Sequence, residues 1–322
     1  VFEETINNLY LHAPTGYRPV LQKWYYVLNP KVSWRNRKKT LAANRQFSMR
    51  FFGSEERMNE YEAEFDESIV GPAIYEGISQ LPEGVSLFDA HKDECVRIYA
   101  LIRERKPETI IETGVYNGVS TLSILAALEA NGVGSLYSVD YSQFLSGDCD
   151  DIDQATAQSF SRGRPSCAEE GTHLVPEGKE PGWIIPEHLR ERWEFIPGKP
   201  QLELPPLLAR LGEIDFFHHD SSHAASSMLF EFELAWQYLR PGGIMVSNHI
   251  GWNDAFETFV AEHSRDYGLM TWHYNPDRDY VSPGSSGYIV KPAGGASGKG
   301  NGRLTTAGRV PHPATSGRSL SD

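Results

Sequence analysis

The sequence predicts an α/β protein built on a doubly wound, mostly parallel sheet, with a mainly helical extension at its N-terminal side. Three observations predict it. From residue 91 onward short β-branched runs alternate with apolar helical stripes. The first run, TIIET (109–113), is followed by the glycine turn GVYNG and then by an Ala- and Leu-rich helix. The first two runs carry an acid at or next to their last position, Glu112 and Asp140.

Taken in order, HKDECVRIYALIRERK (91–106) reads as an amphipathic helix with Val96, Tyr99, Ala100 and the stem of Arg103 on one face, ended by Pro107. TIIET is the first strand, STLSILAALEA (120–130) the next helix, and GSLYSVD (134–140) the second strand. A polar insertion follows over 141–190, and its PGWIIPEHL segment is apolar enough to fold over something as a lid or binding loop. RWEFIPG (192–198) is the third strand, LELPPLLARL is helical after its prolines, and GEIDFFHHD (212–220) is the fourth strand. SHAASSMLFEFELAWQYL (222–239) places Met228, Leu229, Phe232, Ala235, Trp236 and Leu239 on a buried stripe. PGGIMVSNHI (241–250) is the fifth strand, DAFETFVAEHSRD a helix, and LMTWHY and SGYIVKP two last strands. The expected organisation is a helical extension over 1–90, a catalytic-size domain over 91–291, and a Gly/Ser-rich disordered tail over 292–322.

A chain of 322 residues, 40% of them hydrophobic, can bury a full core. Acids outnumber bases by 43 to 30, which argues against nucleic acid as a partner. Cys95, Cys149 and Cys167 are widely spaced and form no CxxC pair, so neither a disulfide framework nor a thiolate zinc site is suggested. With no apolar run of about 18 residues and no signal-peptide build, the expectation is a soluble, cytoplasmic protein. Residues 31–50 hold seven bases and no acid, and residues 55–67 hold seven acids and one base. The two runs can pair with each other or across a homo-oligomer; a second reading of 24–50 is weak contact with a membrane surface. GDCDDIDQ has spaced carboxylates but lacks the glycine and the distal glutamate of a calcium loop, and reads as a solvated loop.

Ligands of a doubly wound sheet sit beyond the carboxyl ends of its strands, which points to the loops at 112–120, 140–142 and 218–223. Gly114 and Gly118 let the backbone approach a ligand, and Ser120 can cap the helix it opens. The spacing is not GxGxxG, and Glu112 would repel a phosphate, so a cationic ligand without phosphate suits the turn better. Asp140 lies where an acid that accepts from ribose hydroxyls belongs.

The turn E-T-G-x-x-x-G-x-S, the strand end S-V-D, the stretch I-D-x-x-x-H-D-S-x-H and the turn L-R-P-G-G-I resemble class I S-adenosylmethionine-dependent methyltransferases. The likeness is greatest to the small-molecule O-methyltransferase group that includes macrocin O-methyltransferase and the cephalosporin-biosynthesis proteins, and it covers residues 91–291. The resemblance implies a seven-stranded sheet with a reversed final hairpin, S-adenosylmethionine as co-substrate and methylation of a hydroxyl on a small molecule or glycoside. It further implies that Glu112, Thr113 and Gly114 line the cofactor's amino-acid portion, Gly118 and Ser120 shape the turn, and Asp140 holds the ribose. Gly198 and Lys199 would border the adenine, and Asp220 would lie near the sulfonium and acceptor.

The stretch HHDSSH (218–223) admits other chemistries. His219, Asp220 and His223 could ligate a metal, but metal-dependent relatives carry a second acid pair after strand five, where this chain reads Ser247-Asn248-His249. That loss disfavours magnesium, and His249 with His219 or His223 would favour a softer ion; the pattern allows a divalent metal but does not favour one, and no residue is assigned as a ligand. Ser221 or Ser222 as a hydrolase nucleophile lacks a GxSxG elbow, and a serine before a helix is most simply an N-cap. Alternation along the strand lets one of His218 and His219 face the pocket. His223 and His249 are the candidates for base or acceptor contact, beside Asp220. The alternatives are a nicotinamide-dependent oxidoreductase on a similar sheet and a non-catalytic binding protein of this fold.

Overall fold

The β-branched runs become β1 (Thr109–Thr113), β2 (Ser135–Asp140), β3 (Trp193–Pro197), β4 (Ile214–His219), β5 (Leu239–Ser247), β6 (Tyr267–Thr271) and β7 (Ser286–Val290). They form one sheet in the order β3-β2-β1-β4-β5-β7-β6. The first five pair in parallel, and β7 runs antiparallel to both β5 and β6. The computed structural model describes residues 30–80, 92–141, 175, 178–271 and 285–293, with 30–40 and 78 described for backbone only. Cys149, Cys167, the GDCDDIDQ loop, most of the 141–190 insertion, residues 24–29, the end of LMTWHY and nearly all of the expected tail lie outside the described residues.

Helices cover both faces, as the alternation along each strand requires. Ile110, Leu136, Phe216 and Ile244 face one core, shared with α1 (Pro30–Phe52), α2 (Glu55–Glu67), α3 (Val70–Ser79), α4 (Lys92–Arg105) and α5 (Val119–Asn131). Ile111, Val139, Phe217 and Met245 face the other, shared with α6 (Pro200–Leu211), α7 (Ala225–Tyr238) and α8 (Ala255–His263). The strand order reverses between β1 and β4, so the loops after these two strands diverge around a crevice at their carboxyl ends.

Several expectations are corrected. α4 is buried nearly all round, Cys95 and Val96 together with Ile98 through Ile102, because α2 packs on the side that would otherwise meet water. α5 is capped by Gly118 and not by Ser120, whose hydroxyl turns inward to Glu112. α7 begins at Ala225 with Ala224 as its N-cap, so neither serine caps it and His223 lies in the loop before it. α6 starts at Pro200 and contains Pro205 and Pro206, and β5 begins at Leu239, recruited by parallel pairing with Ile214.

The extension is built into the domain. Phe47 and Phe51 are buried against Tyr288 of β7, with ring centroids 5.9 and 4.8 Å away, and burial of each such ring stabilises by about 1.5–3 kcal/mol. Arg50 pairs with Asp266 beside β6. The pairing of β6 with β7 shifts register between Leu269 and Thr271, and the carbonyl of Met270 accepts from Arg97 of α4. The acids of α2 pair mainly with α4, through Glu64–Arg103 and Asp66–Lys92, while Arg57 spans Glu60 and Glu104. Among the described residues no ion pair joins them to the basic run. Also among the described residues, no helix is long and apolar enough to cross a membrane.

Candidate active site

The loops after β1, β2, β4 and β5 meet at one end of the sheet. Gly114 donates its N–H to Val139 at 2.9 Å, and Asp220 donates its own to Thr113 at 2.8 Å, so the first turn is held between its two neighbours. Gly114 has φ +89°, and a Cβ there would stand 2.2 Å from the carbonyl oxygen of Asp220. Only a hydrogen fits at that contact. The Asp140 carboxylate accepts from the N–H groups of Val115 and Tyr116 through Oδ2, at 2.9 and 2.8 Å. Burial raises its pKa against the pull of those amides. Gly198 donates to the Asp140 carbonyl at 2.7 Å, and Lys199 lies over the Tyr141 ring at 4.7 Å. Sequence order had separated these groups widely; the strand ends gather Gly114, Asp140, Gly198, Lys199 and Asp220.

Glu112 and Thr113 act from beneath the turn. Glu112 is fully buried, and its two oxygens accept from Ser120, Thr121 and Ser138, each at 2.8 Å. The His218 Nδ1 stands 3.4 Å away on the same carboxylate, and its Nε2 is 3.9 Å from Glu94. Burial works to lower the His218 pKa, but Glu112 and Glu94 more than offset it and hold it near 10. The imidazolium therefore neutralises the carboxylate under the turn.

Thr113 donates to Glu231 of α7 at 2.6 Å, and Ser221 donates to the same carboxylate at 2.7 Å. Glu231 thus ties the loop after β1 to the loop after β4 without reaching the crevice itself. Burial pushes its pKa up to about 7, against the pull of both hydroxyls. A folded pKa above the ordinary value of 4.5 means stability that is complete below 4.5 and is lost as pH rises through 7. Glu231→Gln keeps both hydroxyl contacts and removes that loss. Urea unfolding at about pH 5 and about pH 8 should show the variant gaining on the wild type as pH rises; a difference independent of pH contradicts the assignment.

The strand-end alternation of His218 and His219 needs correction, since neither ring opens to the crevice. Both are fully buried, His218 on the Glu112 side and His219 against Phe232, Glu231 and Ser247. The imidazoles that gather at Asp220 are His223 and His249. The His223 Nε2 is 3.4 Å from Asp220 Oδ1, and the His223 and His249 rings are 4.4 Å apart at 78°. Burial lowers His223 to about 4, leaving it neutral near pH 7. Burial raises Asp220 to about 7, against the attraction of His249. Trp252 packs on both imidazoles, at 5.1 and 5.3 Å.

The end of the insertion closes one side. Gly182 donates to the Tyr116 carbonyl at 2.8 Å, Trp183 donates to Asn117 at 2.7 Å, and a Cβ on Gly118 would meet the Gly182 Cα at 2.7 Å. The PGWIIPEHL segment therefore packs directly on the glycine turn. Sequence reasoning missed Glu94, Glu231, Asn248 and Ser286, all buried. The single hydroxyl proton of Ser286 is shared between Glu94 Oε1 at 2.9 Å and Asn248 Oδ1 at 3.1 Å. A charged residue inside an otherwise apolar helical stripe, as Glu231 is in α7, was the one available signal.

A seven-stranded sheet in this order, with its last hairpin reversed and its crevice between β1 and β4, has the architecture of class I methyltransferases. Residues 111–250 match the family described as a methyltransferase domain. Over these residues the chain is similar to methyltransferase domains, and the resemblance read from its motifs is met at that level. Similar solved structures include an O-methyltransferase from Bacillus cereus in complex with SAH, with 16% identity, 76% of this chain and 94% of that chain covered, and a TM-score of 0.39. The O-methyltransferase TomG from Streptomyces achromogenes, in complex with SAM and involved in tomaymycin synthesis, shows 15% identity over 69% and 89%, with a TM-score of 0.40. An SAH-bound methyltransferase from Podospora anserina shows 16% identity over 74% and 96%, with a TM-score of 0.42. No curated protein matches the chain.

Proposed function

We propose that the domain transfers the methyl group of S-adenosylmethionine to a hydroxyl of a small molecule or glycoside. The observation that carries this reading is the cradle formed by Gly114, Asp140 and Asp220 at the point where the strand order reverses. It offers carboxylates and a close-approaching backbone, which suit a ligand with ribose hydroxyls, an ammonium and a sulfonium but no phosphate. Asp140 holds the ribose, Gly198 and Lys199 border the base, and Gly118 keeps the turn close under the 182–185 segment. Glu112, Thr113 and Ser120 hold that turn in shape from below.

The chemistry asks for placement more than for a reactive group. The acceptor oxygen displaces the sulfur at the methyl carbon in line, the carbon–sulfur bond breaks to leave S-adenosylhomocysteine, and the hydroxyl proton is released. Asp220, His223 and His249 form the wall against which that oxygen is held. The 141–190 insertion would complete the acceptor side as a lid, since its described end already rests on the glycine turn.

Calorimetry with S-adenosylhomocysteine tests the cofactor assignment. Asp140→Ala removes the ribose acceptor and releases the amides of Val115 and Tyr116, so binding should weaken about ten- to a hundredfold. Unchanged affinity in the variant, or no binding by the wild type, contradicts the reading.

A further inference from the structure

Magnesium prefers a shell of oxygen ligands, and the site at Asp220 does not supply one. Asp220, His223 and His249 each present one ligand atom, and these three atoms lie within 4.8 Å of one another. We infer that Asp220, His223 and His249 hold a divalent transition ion of the zinc or cobalt type, an inference that stands apart from the methyl-transfer reading.

Four observations carry it. Two imidazoles and one carboxylate form a donor set that suits borderline ions and leaves positions open on one side. The geometry is close to what such an ion needs: bonds of about 2.1 Å hold neighbouring ligand atoms about 3.0–3.4 Å apart, and Asp220 and His223 already stand at 3.4 Å. The His223 Nε2 is shut off from solvent and has no hydrogen-bond partner. A ring nitrogen left so is costly unless something else occupies its lone pair.

The fourth observation is the support around the ligands. His249 has φ +53°, a left-handed backbone uncommon in a residue other than glycine. The side chain of Asn248 fixes it there, accepting from the His249 N–H at 2.8 Å while it also accepts from Ser286. Asn253 donates to the His223 carbonyl at 2.8 Å. Backbone anchors on both histidines, with Trp252 packed on both rings, hold the imidazoles toward the same carboxylate. His219 stands outside the set, its Nδ1 3.3 Å from the Ser247 hydroxyl and its Nε2 3.6 Å from Glu231.

The full chain, stripped with EDTA, would be titrated with cobalt(II) and followed by visible absorption, and with zinc(II) and magnesium(II) by calorimetry. The expected result is one cobalt ion per chain with the absorption of imidazole ligation, and zinc preferred over magnesium by about tenfold or more. His223→Ala and His249→Ala should each weaken cobalt binding by about tenfold or more, a loss seen even for partners outside the ligand shell. Glu262→Gln, in the separate surface group with Glu233 and His263, should leave it unchanged. His249→Asp should raise magnesium affinity relative to zinc, and circular dichroism would show which variants fold. Absence of a tightly bound cobalt ion, its retention in both alanine variants, or magnesium bound as tightly as zinc overturns the inference. S-adenosylhomocysteine binding by the stripped wild type is read separately, so failure of the metal site and failure of the cofactor assignment give different results.

Discussion

Gly114→Ala should abolish S-adenosylhomocysteine binding and destabilise the fold by about 2–5 kcal/mol, combining left-handed strain with overpacking. The added methyl would meet backbone on every near side: Asp220 O at 2.2 Å, Asp220 C at 2.6 Å and Ser221 N at 3.0 Å. Backbone cannot rotate aside as a side-chain end can, so the loops after β1 and β4 would have to part. Their separation also pulls Asp220 and Ser221 off the hydrogen bonds to Thr113 and Glu231. Gly132→Ala is the matched control, because its φ is +70° but nothing lies within 4 Å of the new methyl. It should cost only the strain, about 1–2 kcal/mol. Urea unfolding and calorimetry on both variants decide the matter; a Gly114→Ala protein that binds with unchanged affinity would sink the close-packed account of the turn.

The second large effect concerns the charges under the turn. His218→Gln should cost about 3–5 kcal/mol, the range for removing one partner of a buried pair. The cost arises because Glu112 is left charged at 0% exposure with three hydroxyls and no cation. Glu112→Gln should be comparably destabilising, since it strands the imidazolium with Glu94 alone at 3.9 Å. The double variant removes both charges and should cost clearly less than the sum of the two. Additive losses in a urea double-mutant cycle would show that His218 is not charged in the folded protein.

The strands and the crevice were legible because period-two runs and punctuating glycines are local signals, written over five to ten residues. TIIET, SLYSVD and the residues around Gly114 needed nothing distant to be read. The ends of helices were less legible. Ser120 and Ser222 look like caps by position, but a hydroxyl goes to the strongest buried acceptor within reach, and for Ser120 that is Glu112 on a neighbouring strand. The roles of the histidines depended on long-range contacts. Burial works to lower both imidazoles; beside His218 it is offset by Glu112 and Glu94, whereas at His219 it prevails and the neighbouring imidazoles reinforce it. Glu94 lies in the charged first turn of its helix, and the hydroxyl that meets it once buried, Ser286, stands 192 positions later in the chain. The association of Asp220, His223 and His249 was half visible, since the spacing within HHDSSH is local and the arrival of His249 is not.

The Met270 carbonyl has a consequence for the company this protein keeps. β6 is the last strand of the sheet on its side, and an unpaired strand is a template for another chain to extend. At the register shift the Met270 carbonyl accepts from Arg97 of α4, with the same guanidinium held at 2.8 Å by Asn44 of α1, while Arg50 grips Asp266 just before the strand. The helical extension, through Asn44 and Arg50, and α4, through Arg97, therefore together serve as a stopper on that border. Stripping the extension away would leave the sheet with a sticky margin, prone to growing into a neighbour.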